Sequence, residues 1–177
     1  MCSETYGRGR TETAICKGSC SGPPGSPTRS GKPESGVARV GRIGRQHTHR
    51  LRVRYGECDP QGVVFNAHYF AYFDLALTEL FRDVFGGYES MLDRQVDLVV
   101  GEASARFLAP ARFDDELEVA VTVARLGTTG VTTHYDLLRD GERLVEGTVR
   151  HVVVNLGTHE KTAIPDWMRN GLEPYAG

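Results

Sequence analysis

The stretch NAHYFAYFDLALTELFRDVFGG, residues 66–87, limits what this chain can fold into more than any other. On a helical projection Asp74, Thr78, Glu79, Arg82 and Asp83 share one narrow polar stripe. Tyr69, Phe70, Tyr72, Phe73, Leu75, Ala76, Leu77, Leu80, Phe81 and Val84 cover most of the remaining circumference. A helix this apolar has to be enclosed by other structure rather than rest on it. Asn66 is placed to cap its start, and Gly86 with Gly87 to end it. YESMLDR adds one short turn after it.

The enclosing material has to be sheet, because the rest of the body reads almost entirely as strand. In THRLRVRYGE, Leu51, Val53 and Tyr55 alternate with Arg50, Arg52 and Arg54, the period of a half-buried strand. His47 and His49 share a face there and read as exposed side chains at the strand start. Residues 96–109, 116–126, 131–139 and 143–156 are rich in Val, Thr and Leu. Asp140 and Gly141 join the last two segments as a two-residue hairpin, and Pro110 and residues 127–130 mark the other breaks. One strand, one long helix and four further strands give an α+β architecture, a five-stranded antiparallel sheet curled around the helix.

Residues 1–46 differ in kind. They are dense in Gly, Pro, Ser and Arg without hydrophobic period, and read as a disordered basic tail. They carry eight Lys or Arg against three acids, net +5, whereas the remainder carries 13 against 20, net −7. The acidic body is therefore not built to meet nucleic acid. Cys16 and Cys20 lack the partners a metal site needs, and with only Cys58 in the body no disulfide framework is expected. No apolar run approaches the roughly 20 residues of a membrane helix. The expectation is a body without membrane insertion, in the cytoplasm, divided as a domain at 47–170 and a C-terminal tail at 171–177.

The chemistry concentrates in GECDPQGVVFNAHY, residues 56–69, where Glu57 and Asp59 stand just before the helix start. On spacing alone Asp59 reads equally as an acid resting against a helix dipole and as a working carboxylate.

The order of elements, with VRYGECDPQGVVFNAHYFAYFDLALTELFR across first strand and helix, resembles the hotdog-fold acyl-CoA thioesterases of the 4-hydroxybenzoyl-CoA thioesterase family. The resemblance continues through RFLAPARFDDELEV, LGTTGVTTHYDLLRDGERLVEGTVRHVVVNL and AIPDWMR. It implies a hotdog fold and hydrolysis of a thioester to a free acid and CoA. The catalytic carboxylate falls on Asp59, and the backbone N–H that polarises the thioester carbonyl falls on Asn66. One departure stands out: the family often has Asn where His68 stands, and Tyr or His where Asn66 stands.

The residue types suit that chemistry. The first N–H groups of a helix have no internal partner and sit at the positive end of the dipole, so a carbonyl oxygen docked there is stabilised as it becomes an oxyanion. Asp59 would act as nucleophile, through a mixed anhydride, or as general base for water. Gly62 permits close backbone approach and Pro60 stiffens the turn. Val63, Val64, His68 and Tyr69 are expected to line the substrate. Arg125, Thr128 and Thr129 sit in the inter-strand loop that holds coenzyme in relatives. Glu57 reads as supporting and Cys58 as packing. Glu79 reads as a paired surface acid, and His134, His151 and His159 are assigned no role. The resemblance implies no metal and no cofactor beyond the CoA of the substrate. Acyl-CoA or an acyl carrier protein thioester is the expected partner, and a homodimer or homotetramer the expected assembly. Two other readings stay open: a non-catalytic acyl-CoA-binding module, and a hydratase or dehydratase using His68.

Overall fold

The structure, a computed structural model, describes residues 44–177. In chain order it contains β1 (His47–Arg52), α1 (Asn66–Phe85), α2 (Glu89–Leu92), β2 (Val96–Phe107), β3 (Glu116–Leu126), β4 (Gly130–Arg139), β5 (Glu142–Asn155) and α3 (Asp166–Leu172). Single 3-10 turns lie at Tyr55–Glu57 and Glu173–Tyr175. The five strands form one antiparallel sheet in the order β1-β3-β4-β5-β2, which leaves β1 and β2 as its edges. The β4–β5 hairpin turns on Asp140 and Gly141, both at positive φ (51° and 82°), the geometry of a type I′ turn. Extra residues in the ladders, Gly101 in β2, Ala124 in β3 and Leu144 in β5, bend the sheet around α1.

α1 lies across β1 and β3. It buries Tyr69, Tyr72, Phe73, Ala76, Leu77, Leu80 and Phe81. The Phe73 ring stacks on Tyr135 of β4 at 4.6 Å between centroids, tilted by 22°. It also sits on the backbone of Gly147 in β5, where a Cβ would lie 2.4 Å from a ring carbon. A side chain there would have to displace the Phe73 ring, because the helix approaches the sheet so closely. Alternate residues of β4 and β5 complete the inner face: Val131, Thr133, Tyr135 and Leu137, then Val145, Val149, His151 and Val153.

Four expectations change. The cap of α1 is Phe65, in extended conformation (φ −62°, ψ 134°), and Asn66 is the first helical residue. The Phe65 N–H is already bonded to the Glu57 carbonyl at 2.9 Å, which fixes the chain direction one residue earlier than a side-chain cap at Asn66 would. Enclosure of α1 is one-sided: Leu75 remains 48% exposed, because a single sheet covers one face of a helix. His47 is not an exposed strand end. It points inward under α1 with its Nδ1 3.1 Å from the Asp83 carboxylate.

The fourth change concerns the termini. Residues 171–177 are not a tail: α3 and the 3-10 turn after it bury Leu172 and Tyr175. The Arg45 N–H bonds the Pro174 carbonyl at 2.7 Å, so packing reaches back past residue 47. The rest of the expected basic tail, with Cys16 and Cys20, lies outside the described residues.

Candidate active site

The segment between β1 and α1 is held by its own backbone. The Gly62 N–H bonds the Asp59 carbonyl and the Asp59 N–H bonds the Val63 carbonyl, both at 2.9 Å, around the fixed φ of Pro60. Gly62 has φ 75°, and a Cβ there would meet nothing within 4 Å. Glycine suits this position because of the left-handed conformation. One Asp59 carboxylate oxygen accepts the Gln61 N–H at 2.8 Å, and the other takes no hydrogen bond among the described residues.

Glu57 is the anchor of this segment. Its Oε2 accepts the Arg54 N–H at 2.7 Å and the Tyr72 hydroxyl at 2.8 Å, tying the end of β1 to the second turn of α1. Burial first, and then the neighbouring carboxylate, push the Tyr72 hydroxyl far above the ordinary phenol range, so it remains a donor. The Val64 N–H bonds the Ala111 carbonyl at 2.9 Å, and the Tyr69 hydroxyl accepts the Ala111 N–H at 3.1 Å. These contacts bring the β2–β3 connection against the start of α1. Cys58 is half-buried, pairs with Val64 in an isolated bridge and packs on the core.

The result is a cavity of about 370 Å³ lined by Asp59, Val63, Val64, Asn66, Tyr69 and, from the end of β2, Phe107 to Pro110. Its size falls within the usual range for small-molecule sites. At one wall the helix begins. Neither the Asn66 nor the Ala67 N–H is taken up by an acceptor among the described residues, whereas the His68 N–H is bonded to the Phe65 carbonyl. Asp59, with one carboxylate oxygen unengaged among the described residues, and Asn66, with its N–H unpaired, therefore line one space. A carboxylate and an unpaired helix N–H are the groups that acyl transfer uses as base or nucleophile and as oxyanion donor.

Asp59, Val63, Val64, Asn66 and Tyr69, singled out from sequence, are brought together, with Gly62 shaping their turn. His68 is not: its ring lies against Phe65, 6.3 Å between centroids, and does not line the cavity. Arg125 stands near the C-terminal end of β3, with Thr128 and Thr129 just beyond it, and none of the three lines this cavity. There the Thr128 and Thr129 carbonyls bond the N–H groups of Ile164 and Val153. Phe107, Leu108, Ala109 and Pro110 are the lining residues that sequence reasoning missed. Their signal was the break at Pro110 inside RFLAPARFDDELEV.

Fold and site together define a class, the thioester hydrolases of hotdog fold. The chain belongs to the thioesterase-like superfamily, whose family model matches residues 53–172. It is 31% identical over 116 residues to the acyl-CoA thioester hydrolase YbgC of Escherichia coli, covering 65% of this chain and 87% of that protein. Among solved structures, the protein TT1821 of Thermus thermophilus is 30% identical with a TM-score of 0.68, covering 73% of this chain and 98% of that one. A thioesterase superfamily protein from Jannaschia sp. CCS1 is 25% identical with a TM-score of 0.70, covering 73% and 92%.

Proposed function

We propose that this protein hydrolyses acyl-CoA thioesters, with Asp59 as the working carboxylate and the Asn66 N–H as the oxyanion donor. The observation that carries the reading is the shared cavity: Asp59 and the unpaired start of α1 both line it. The similarity to YbgC, named an acyl-CoA thioester hydrolase, supports the choice of substrate. The thioester carbonyl oxygen docks at the helix start, where the dipole and the free N–H groups stabilise the negative charge that grows on it.

As general base, Asp59 takes a proton from water as the water oxygen bonds the acyl carbon. The C–S bond then breaks and CoA leaves as thiolate, to be protonated from solvent. As nucleophile, Asp59 bonds the acyl carbon first, expels the thiolate, and water cleaves the resulting anhydride. Both routes yield one carboxylic acid and one CoA, and every step uses groups of this chain and water. An acyl carrier protein thioester presents the same pantetheine arm and is the variant substrate.

The test is thiol release from a panel of aliphatic and aromatic acyl-CoAs by wild type and Asp59→Asn. The substitution should lower kcat on the order of 10²- to 10⁴-fold with an unchanged circular dichroism spectrum. An unaffected rate would remove Asp59 from the mechanism.

The assembly proposed is a homodimer or homotetramer. β2 is an edge strand of 12 residues whose Val99 and Val100 are 45% and 56% exposed, a long unpaired edge that a second copy would cover by continuing the sheet. Light scattering that shows only monomer at micromolar concentration would exclude it. No helix among the described residues is long and apolar enough to cross a membrane, and a cytoplasmic location is proposed.

A further inference from the structure

The walls of the Asp59 cavity differ in how firmly they are held. Tyr69 is fixed: it is 3% exposed, its hydroxyl accepts the Ala111 N–H, and its ring meets Tyr72 edge to face at 6.0 Å between centroids. The backbone beyond β2 is fixed as well. The Leu108 and Ala109 N–H groups both bond the Leu144 carbonyl, at 2.8 and 3.1 Å, and the Ala111 carbonyl accepts the Val64 N–H. These bonds hold the run from Leu108 to Pro110 against the start of α1.

Phe107 is the exception. It is the last residue of β2, opposite Val145 of the inner face, and it lines the cavity with 49% of its surface open. Its ring rests on that of Tyr69, 5.4 Å between centroids and inclined by 60°. An aromatic side chain packed on one side and open on the other leaves apolar surface for a ligand to bury. Nothing in the proposed hydrolysis uses it.

The ring pair also stands close to the reacting groups. Tyr69 follows Asn66 by three residues, a rise of about 4.5 Å along α1. A carbonyl oxygen at the Asn66 N–H therefore puts the acyl chain within one helical turn of the two rings. The other walls are Val63, Val64, Phe65 and the run from Leu108 to Pro110, and no Lys, Arg or His side chain is among them. Asp59 is the single charged side chain of the lining. A carboxylate at the far end of an acyl group would meet no cation there and would share a small space with Asp59. At about 370 Å³ the cavity is near the lower end of the range for small-molecule sites.

We propose that Phe107 sets the acyl specificity of this site: its ring, closed on Tyr69, bounds the space beyond the helix start and limits it to short, uncharged, apolar acyl groups. The inference rests on the acyl-CoA reading above and deepens it. Each methylene buried against the rings gains roughly fourfold in kcat/KM. The first one that overlaps Phe107 loses about tenfold or more.

The test uses the full chain as wild type, Phe107→Ala and Phe107→Trp. Thiol release gives kcat/KM for the straight-chain series from acetyl- to decanoyl-CoA and for succinyl-CoA. Calorimetry gives the binding of butyl-CoA and octyl-CoA, thioethers with no acyl carbon to attack. Wild type should peak at a short chain and cleave succinyl-CoA on the order of tenfold more slowly than butyryl-CoA. Phe107→Ala should raise the octanoyl-to-butyryl ratio on the order of tenfold, and Phe107→Trp should lower it. The ratio of octyl-CoA to butyl-CoA affinity should shift in the same directions. A merely structural role for the ring would lower every rate alike and leave both ratios at the wild-type value, which overturns the proposal. So does a wild type that prefers long chains or cleaves succinyl-CoA as fast as butyryl-CoA. A fall in oligomer mass in both variants with unchanged ratios would make Phe107 a contact between copies and overturns it too. Thioether binding whose length preference follows the side chain at position 107, in a protein that cleaves no thioester, would support this wall and refute the hydrolytic reading instead.

Discussion

His151 offers the most quantitative prediction. It sits on the inner face of β5, 3% exposed, with its Nδ1 buried and without a hydrogen-bond partner among the described residues. Burial pulls the imidazole from 6.5 down to about 4. The ring is therefore held neutral in the folded chain while it takes up a proton readily in the unfolded one. A depressed folded value gives full stability above about pH 6.5, and that stability is lost as the pH falls from 6.5 toward 4. The complete loss is about 3 kcal/mol, of which about 2 kcal/mol has gone by about pH 5. The perturbation is His151→Leu, which removes the titrating ring without unpairing any other group. Urea unfolding of both proteins at one fixed concentration, at about pH 7 and about pH 5, reads the effect. Wild type should lose about 2 kcal/mol more than the variant, a midpoint difference of about 1 M. Asp115, held below the usual carboxylate range chiefly by Arg139 against the opposing effect of burial, loses its contribution only below the ordinary Asp value, outside this window. Parallel losses in the two proteins would refute the assignment of the acid sensitivity to His151.

Two further outcomes follow from contacts already described. Tyr72→Phe removes one of the two hydrogen bonds to Glu57 and should destabilise the fold by about 1 to 2 kcal/mol while lowering kcat at unchanged KM; an unchanged urea midpoint would mean that the hydroxyl does not hold Glu57. Gly147→Ala drives a methyl into the Phe73 ring and should cost about 1 to 3 kcal/mol. Phe73→Leu in the same chain should recover part of that loss, and strictly additive losses would show that the two residues do not touch.

The periodic parts of this fold were legible in the sequence because period is a local property. The alternation of β1 as far as Arg52, the extent of α1 and the Asp140–Gly141 turn each require only a few neighbouring residues and stand where expected, whereas Tyr55, read as continuing the alternation, is exposed in a 3-10 turn. That Asp59 and Asn66 stand close together follows likewise from one short segment, whereas the roles expected of them came from the family resemblance. What depends on register was not. Phe107 to Pro110 reach the cavity only because β2 pairs with β5 at the far edge and the chain then returns to Ala111 beside Tyr69. The bond between Glu57 and Tyr72 spans 15 residues and follows from the angle at which α1 leaves its loop. Arg125, Thr128 and Thr129 carried suitable chemistry but do not line the cavity that holds Asp59, which depends on where the strands carry the chain and not on spacing. Leu172 and Tyr175 were misjudged because a short apolar C-terminal segment shows its burial only once the core it closes exists.

The double hold on Glu57 reaches beyond stability. Its carboxylate joins the end of β1 to α1, and its carbonyl fixes Phe65, the residue from which α1 starts. Asp59 and the first free N–H groups of the helix are therefore mounted on one rigid frame and do not need to find each other when a thioester arrives. The entropy of aligning them is spent once, when the chain folds, and none of it has to be drawn from the binding of each substrate. On the proposed mechanism, a small acyl group that makes few contacts of its own would still meet a base and an oxyanion site already in position.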